Sequence, residues 1–127
     1  MDLLRLVNPG AIANMPLLTV LDVSGSKELG YIDREAFGGL PRLQTLHLHA
    51  CNLSSLEWPL LAHLTKLKTL TVHDNPWHCD CNLDWLIQTL RYTRNNIVVP
   101  KATTITCNEP APLRGQHIAK MHPVQVK

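Results

Sequence analysis

The chain has 127 residues, of which 45% are apolar and 17% are charged, so it is long enough to bury the core of one domain. Its net charge of +2 is too small to indicate a nucleic-acid partner or an anionic membrane surface. Charged residues, histidine or proline interrupt each apolar run before it reaches the length of a membrane-spanning helix.

The first ten residues, MDLLRLVNPG, do not form an export signal. Such a signal has a basic head followed by an uninterrupted apolar run. Here Asp2 takes the place of the basic head, and Arg5 interrupts the apolar residues. We therefore expect no signal peptide and no membrane segment in this sequence.

Three segments of the chain repeat one apolar pattern. They start at residues 18, 43 and 67 and read LTVLDVSGS, LQTLHLHAC and LKTLTVHDN. Each fits L-x-x-L-x-[LV]-x-x-[SCN], and the starts lie 25 and 24 residues apart. A period of this length is typical of a solenoid, in which each repeat packs against its neighbours.

The spacers between these segments repeat as well, with apolar residues at offsets of 5, 8 and 11. The three sets are Val7, Ile12, Met15, Leu18; Ile32, Phe37, Leu40, Leu43; and Leu56, Leu61, Leu64, Leu67. The first set has no strand before it in the same register. We therefore expect the sequence to begin partway through a repeat, as a fragment of a longer protein would.

Pattern and period together resemble the leucine-rich repeat family. The resemblance implies an α/β solenoid with a short parallel sheet on its concave face and an irregular or helical convex side. It also implies that Ser26, Cys51 and Asn75 occupy the turn after each strand. We predict that Cys51 is a buried free thiol, since an unpaired cysteine packs as a small apolar residue.

Alternation along the predicted strands separates core residues from residues of the concave face. Register between parallel strands would align the concave side chains in columns about 4.8 Å apart. The candidates for partner contact on this face are Asp22, Ser24, Thr45, His47, His49, Thr69, Thr71 and His73, with Val20 beside them.

Three histidines fall in two of these columns, which are Asp22, His47, Thr71 and Ser24, His49, His73. The simplest interpretation is a set of solvated polar residues on an open sheet face. Zinc binding by the three imidazoles is an alternative. A contact sensitive to pH or to a partner is another, because histidine changes charge near neutral pH.

Asn52 begins the triplet Asn-Leu-Ser, which is an acceptor sequence for N-glycosylation. It follows the predicted turn at the edge of a repeat. We note Asn52 as a glycosylation candidate, although such triplets also occur by chance.

Cys79 and Cys81 stand one residue apart in the segment NPWHCDCNLDWL. Neighbours this close cannot easily bond each other, so each needs a more distant partner. A redox dithiol would have CxxC spacing, which is absent here. Zinc stays an alternative, because His78 and Cys107 would complete four ligands with this pair.

The segments NPWHCDCNLDWLIQTLRY and TCNEPAPLRGQHI resemble the cysteine-rich C-terminal cap of extracellular leucine-rich repeat proteins. The resemblance implies a small helical cap, a disulfide between Cys79 and Cys107, and a partner for Cys81 that this sequence does not contain. Disulfides persist in oxidising compartments. We therefore expect the parent protein to be secreted or displayed at the cell surface.

The cap also has a pattern of its own. Asn82 is predicted to cap a helix whose apolar face carries Leu83, Leu86, Ile87 and Leu90. Trp77 and Trp85 are predicted to fill the core. The expected organisation is a partial repeat at 1–17, repeats at 18–42 and 43–66, the last repeat strand at 67–74, and the cap at 75–127.

No motif for catalysis, phosphate binding or cofactor binding is present, so function is expected to come from the surface. We predict noncovalent recognition of a protein ligand or receptor, as in adhesion, receptor signalling or innate immunity. The alternative is a structural end piece without a ligand of its own. An uncapped amino-terminal end is expected to favour self-association, through Leu4, Val7, Ile12, Leu21 and Val23.

Overall fold

A computed structural model describes residues 17–32, 37, 40–62, 64–92 and 96–121 of the chain. Among these residues, three repeat strands come first, and the shorter strands and helical turns of the cap follow, in the order expected for repeats followed by a cap. Most of the predicted partial repeat at 1–17, including Leu4, Val7 and Ile12, lies outside the described residues.

The repeated segments form a parallel sheet of three short strands. Its strands are β1 (Val20–Asp22), β2 (Thr45–His47) and β3 (Thr69–Thr71), with β2 in the middle. Equivalent residues of the three repeats lie opposite one another in register, so Leu21 pairs with Leu46 and Leu46 pairs with Leu70. The solenoid architecture predicted from the sequence is confirmed.

The core lies on one side of this sheet. Two leucine or valine side chains from each repeat point into it, and they are Leu21, Val23, Leu46, Leu48, Leu70 and Val72. Spacer residues close the core from the convex side, where helix α1 (Trp58–Ala62) lies in the spacer between β2 and β3. The buried spacer side chains include Ile32, Phe37, Leu40, Leu56, Leu61 and Leu64.

The expectation that Leu21 and Val23 form an exposed apolar end is wrong. Their exposed fractions are 3% and 4%. Both side chains alternate inward from β1 and belong to the same buried cluster as the residues of the later repeats. They therefore do not offer a surface for self-association.

Each strand is followed by a turn with the same unusual backbone. Gly25, Ala50 and Asp74 all have a positive φ, of 76°, 57° and 59°. These residues hold equivalent positions in the three repeats. The left-handed region is open to glycine but unfavourable for most other residues, so repeat geometry sets the backbone at Ala50.

Asn75 stabilises the last turn with its buried amide. Its Nδ2 donates to the carbonyl oxygens of Leu48 and Val72, at 2.9 and 3.1 Å. Its Oδ1 accepts from the backbone N–H of Leu53 at 3.1 Å. One side chain thus satisfies backbone groups of two adjacent repeats, among them the buried carbonyl oxygen of Leu48 and the buried N–H of Leu53.

We predict that Asn75→Ala lowers the free energy of unfolding by about 2–4 kcal/mol, because it leaves at least two buried backbone groups without a hydrogen bond. Urea denaturation of the full chain measures this loss. The matched control is Asn108→Ala at an exposed position, expected to change stability by about 0.5 kcal/mol or less. Equal effects of the two substitutions would contradict the role given to Asn75.

The cap begins directly after this turn. Strand β4 (Trp77–His78) pairs in parallel with β5 (Cys107–Glu109). A disulfide joins Cys79 to Cys107, as the resemblance to the cysteine-rich cap implies. Since these two sulfurs are bonded to each other, they are not thiolates for zinc, and the alternative of a zinc site at this position is wrong.

Helix α2 (Asp84–Tyr92) packs against the 3₁₀ turn Ile118–Lys120 of the cap. Leu83, Leu86 and Ile87 are buried, as the apolar pattern predicts. The prediction that Asn82 is the N-cap residue of this helix is wrong. A 3₁₀ turn, Cys81–Leu83, precedes the helix, and Asp80 is the N-cap residue of that turn. The Asp80 carboxylate accepts from the backbone N–H of Asn82 at 3.0 Å.

Both predicted core tryptophans contact the repeats. Trp77 is fully buried, and its Nε1 donates to the carbonyl oxygen of Val72 at 3.0 Å. Trp85 is only half-buried, and its Nε1 donates to the carbonyl oxygen of Leu56 at 2.7 Å. The two indoles thus fix the cap to the last two repeats.

A further cap segment adds to the concave sheet. Val98 pairs in parallel with Thr69 at the edge of β3. The N–H of Leu70 donates to the carbonyl oxygen of Val98 at 3.0 Å. The N–H of Val98 donates to the carbonyl oxygen of Lys68 at 2.7 Å. The cap therefore covers the strand edge that the last repeat would otherwise leave open.

We predict that replacing both Cys79 and Cys107 with alanine lowers the free energy of unfolding by about 3–4 kcal/mol, because the bond closes a long loop in the unfolded chain. Urea denaturation under oxidising conditions measures the difference. Cys81→Ala is the control, since Cys81 is an exposed free cysteine. A double variant as stable as this control would contradict the prediction.

Candidate functional site

The concave face carries the side chains of the predicted columns. Register places Asp22 beside His47 and His47 beside Thr71. Backbone hydrogen bonds extend the ladder beyond the strands, from the N–H of Ala50 to the carbonyl oxygen of His73 at 2.9 Å. The structure thus brings the three concave histidines and Thr71 together.

Thr71 lies at the centre of this group. Its Oγ1 is 2.7 Å from Nδ1 of His49 and 3.3 Å from Nδ1 of His47. The rings of His47 and His49 meet edge to face, with centroids 5.8 Å apart. We call Thr71, His47, His49 and His73 the concave histidine cluster.

His73 lies beneath His49 in this cluster. The two rings stack with centroids 4.5 Å apart and planes 10° from parallel. His73 is only 5% exposed, and its Nδ1 is buried without a hydrogen-bond partner. Burial lowers the pKa of His73, the charge of His49 adds to this effect, and Asp74 opposes it.

The interpretation of these residues as freely solvated side chains is wrong for Thr71 and His73, which are both buried. The stacked ring of His49 accounts for part of the burial of His73. His47 and His49 are half-buried. The accessible part of the cluster is therefore formed by His47 and His49.

Asp22 lies at the first-repeat end of the column that contains His47. The Ser24 hydroxyl donates to its Oδ1 at 2.6 Å, and the backbone N–H of Ser24 donates to the same atom at 2.9 Å. These bonds from Ser24 lower the pKa of Asp22, and the nearby His47 and His49 lower it further. A carboxylate is thus held at the end of the column.

The zinc interpretation of the concave histidines finds no support. Among the described residues, no three side chains of histidine, cysteine, aspartate or glutamate are arranged to hold a metal ion. Instead, Thr71 Oγ1 forms hydrogen bonds with Nδ1 of both His47 and His49. The chemistry that the cluster shows is therefore hydrogen bonding.

The remaining candidate residues lie away from this cluster. Cys51 is a buried free thiol in the turn, as predicted, and its Sγ is 3.4 Å from the carbonyl oxygen of Val23. Burial raises the pKa of this thiol. Cys81 and Asn52 are exposed, and their proposed roles stay predictions.

Sequence reasoning missed two contributions of the cap to this face. Val98 extends the sheet beside Thr69, and Lys101 is close enough to His73 to lower its pKa slightly. The β-branched run from residue 97 to 99 was a usable signal for an added strand. No sequence signal indicated which repeat strand it would join.

Residues 16–76 match the family model described as Leucine rich repeat. Together with the in-register parallel strands, this match decides the assignment. Residues 16–76 are leucine-rich repeats. Within the part of this protein that the structure describes, no helix combines the length and apolar character that crossing a membrane requires.

Two relatives illustrate the similarity. Leucine-rich repeat-containing protein 52 of Mus musculus is 35% identical over 97 residues, which cover 75% of this chain and 30% of the relative. Toll-like receptor 5 of Mus musculus is 45% identical over 49 residues, which cover 39% of this chain and 6% of the receptor.

A solved structure shows a similar fold in a molecular complex. It is the octameric complex of Latrophilin 3, Unc5D and FLRT2, in which FLRT2 is the leucine-rich repeat component. The match has a TM-score of 0.69 and 28% identity, and it covers 83% of this chain and 31% of the other. The chain thus spans less than a third of each of these proteins.

We predict that His73 makes the fold less stable as the pH falls. Its lowered pKa means that, below the ordinary histidine pKa near 6.5, the unfolded chain binds a proton that the folded chain does not. Stability is therefore fully present above that pH and decreases as the pH falls toward the lowered pKa.

Urea denaturation of the full chain at a series of pH values measures this loss. His73→Phe removes the titrating group and should reduce the pH dependence. The same slope in wild type and His73→Phe would contradict the prediction.

Proposed function

We propose that this chain belongs to a cell-surface or secreted recognition protein, of the adhesion, receptor or innate-immunity type, and that its concave face binds a partner protein. The observation that carries the proposal is the in-register array of polar side chains on β1, β2 and β3. Concave sheets of this kind are the extended binding surfaces of solenoid proteins.

The composition of the face supports binding. Thr45, His47 and His49 are half-buried, so they are ordered by their neighbours and still accessible to a partner. Preordered side chains lose little conformational freedom on binding. The face also mixes acceptors, donors and aromatic rings, which suits the directional contacts of a specific protein interface.

The disulfide and the relatives support an extracellular location. A bond such as that between Cys79 and Cys107 is stable in oxidising compartments and rare in the cytosol. The exposed Asn52 in its acceptor triplet is compatible with passage through the secretory pathway. One similar protein is named a receptor, and another forms a complex with two further proteins.

A structural role without a ligand is the second candidate. One observation favours it, namely that the cap pairs through Val98 with the last repeat strand and that Thr71 and His73 are buried nearby. Terminal repeats of a solenoid commonly serve to close its core. Under this alternative, the ligand would bind other repeats of the parent protein.

We predict that Thr45→Arg weakens partner binding by about tenfold or more, because a long charged side chain would project from the middle strand of the concave face. The measurement is the binding of the full chain to a panel of recombinant extracellular domains. The chain is linked into multimers for this assay, so that weak binding is detected. Thr65→Arg makes the identical change at an exposed position outside the sheet.

The proposal requires at least one domain that binds wild type and Thr65→Arg but loses Thr45→Arg. A partner that binds all three chains equally would contradict the role of the concave face. Failure of wild type to bind any domain would favour the structural alternative.

A further inference from the structure

We propose that His47 and His49 form a hydrogen-bond donor and acceptor pair, held by Thr71, that takes an amide group of the partner. The amide would belong to an asparagine or glutamine side chain. This inference rests on the proposed function, because it names the chemistry that the concave face would recognise.

The hydroxyl of Thr71 gives the imidazoles of His47 and His49 different hydrogen-bonding roles. A hydroxyl has one proton to donate and can accept as well. Thr71 is buried, and no partner besides the two Nδ1 atoms is found for its hydroxyl among the described residues. If both rings donated to Oγ1, the hydroxyl proton would be buried without an acceptor, which is costly.

The arrangement that satisfies all three groups has Thr71 donating to one neutral ring and accepting from the other. An O–H donor makes shorter bonds than an N–H donor. The 2.7 Å contact therefore assigns Nδ1 of His49 as the acceptor, and the 3.3 Å contact assigns Nδ1 of His47 as the donor.

The opposite ring nitrogens then carry opposite roles, since a neutral imidazole has one donor and one acceptor nitrogen. His49 presents Nε2–H as a donor, and His47 presents a bare Nε2 as an acceptor. Within the described residues neither Nε2 has a partner, and neither is a fully buried atom. Both are therefore available to a partner molecule.

An amide group matches this pair, because its carbonyl oxygen accepts and its N–H donates. A carboxylate would leave the acceptor nitrogen of His47 without a proton to bind. It would also approach the carboxylate of Asp22, whose neighbour in the sheet is His47. An ammonium group would leave the donor of His49 unused. A hydroxyl also donates and accepts, but through a single oxygen atom. The ring centroids of His47 and His49 lie 5.8 Å apart, so a neutral amide, with its donor and acceptor on separate atoms, is the favoured chemistry.

The stacked ring of His73 holds the donor in place. Its plane is nearly parallel to that of His49 at 4.5 Å, and its own burial leaves it little freedom to move. His49 is thus fixed by Thr71 at one atom and by His73 across its face. A donor positioned in advance loses less entropy when it binds.

The first test is long-range ¹H–¹⁵N correlation spectroscopy of the full chain with labelled histidines, at about pH 8, where histidine side chains are generally neutral. We expect the Nε2–H tautomer for His49 and the Nδ1–H tautomer for His47. Thr71→Ser should keep this pattern and Thr71→Val should abolish it. The same tautomer in both rings of wild type would overturn the inference.

The second test titrates the same sample with three small probes. Propionamide offers a donor and an acceptor, N,N-dimethylpropionamide offers the acceptor alone, and propionate offers acceptors with a charge. We expect saturable shifts at both rings with propionamide. Binding of the other two should be about fivefold weaker, as expected for one lost hydrogen bond. Equal affinities for the three probes, or no shift at either ring, would overturn the inference.

The two proposals fail in different experiments. If Thr45→Arg abolishes partner binding while the tautomers are equal or the probes do not discriminate, the concave face is the binding surface but does not select amides. If the tautomers and probes behave as expected while Thr45→Arg binds normally, the amide pair exists but the partner contacts another face.

Discussion

The fold and its candidate site both depend on the in-register pairing of short parallel strands. Leu21, Leu46 and Leu70 lie opposite one another and point into the core. Because side chains alternate along a strand, the flanking residues must then point to the concave face. A shift of one residue would bury His47 and expose Leu46, so burial of the leucines sets the position of the histidines.

A solenoid built this way exposes a strand edge and an apolar core at its end. The cap addresses both problems, since Val98 pairs with the edge of β3 and Trp77 is buried with its Nε1 bonded to Val72. The disulfide from Cys79 to Cys107 fixes two cap strands to each other. By extending the concave sheet, the cap also shapes the surroundings of the histidine cluster.

Features that repeat could be predicted from the sequence, and the family resemblance supplied the disulfide between Cys79 and Cys107. Contacts that single residues make outside the repeated pattern could not be predicted. The repeated L-x-x-L-x-[LV] pattern placed Leu46, Leu70 and their equivalents in the core, and alternation placed Asp22, His47 and Thr71 in one column. The burial of His73 depends on its stacking with His49, which no local pattern encodes. Likewise, the N-cap residue is Asp80 and not Asn82, because a 3₁₀ turn precedes α2. The two candidate N-cap residues are only two positions apart in the sequence.

Hydrogen exchange at individual backbone amides of the full chain would test the central claim of in-register pairing and closure by the cap. The amides of Leu48, Ala50 and Leu70 donate to Thr71, His73 and Val98 across three neighbouring segments. The account predicts slow exchange at all three, with Leu70 protected because the cap covers the edge of β3. Exchange at Leu70 as fast as at amides outside the sheet, with Leu48 still protected, would contradict closure by the cap. Fast exchange at all three would contradict the pairing itself.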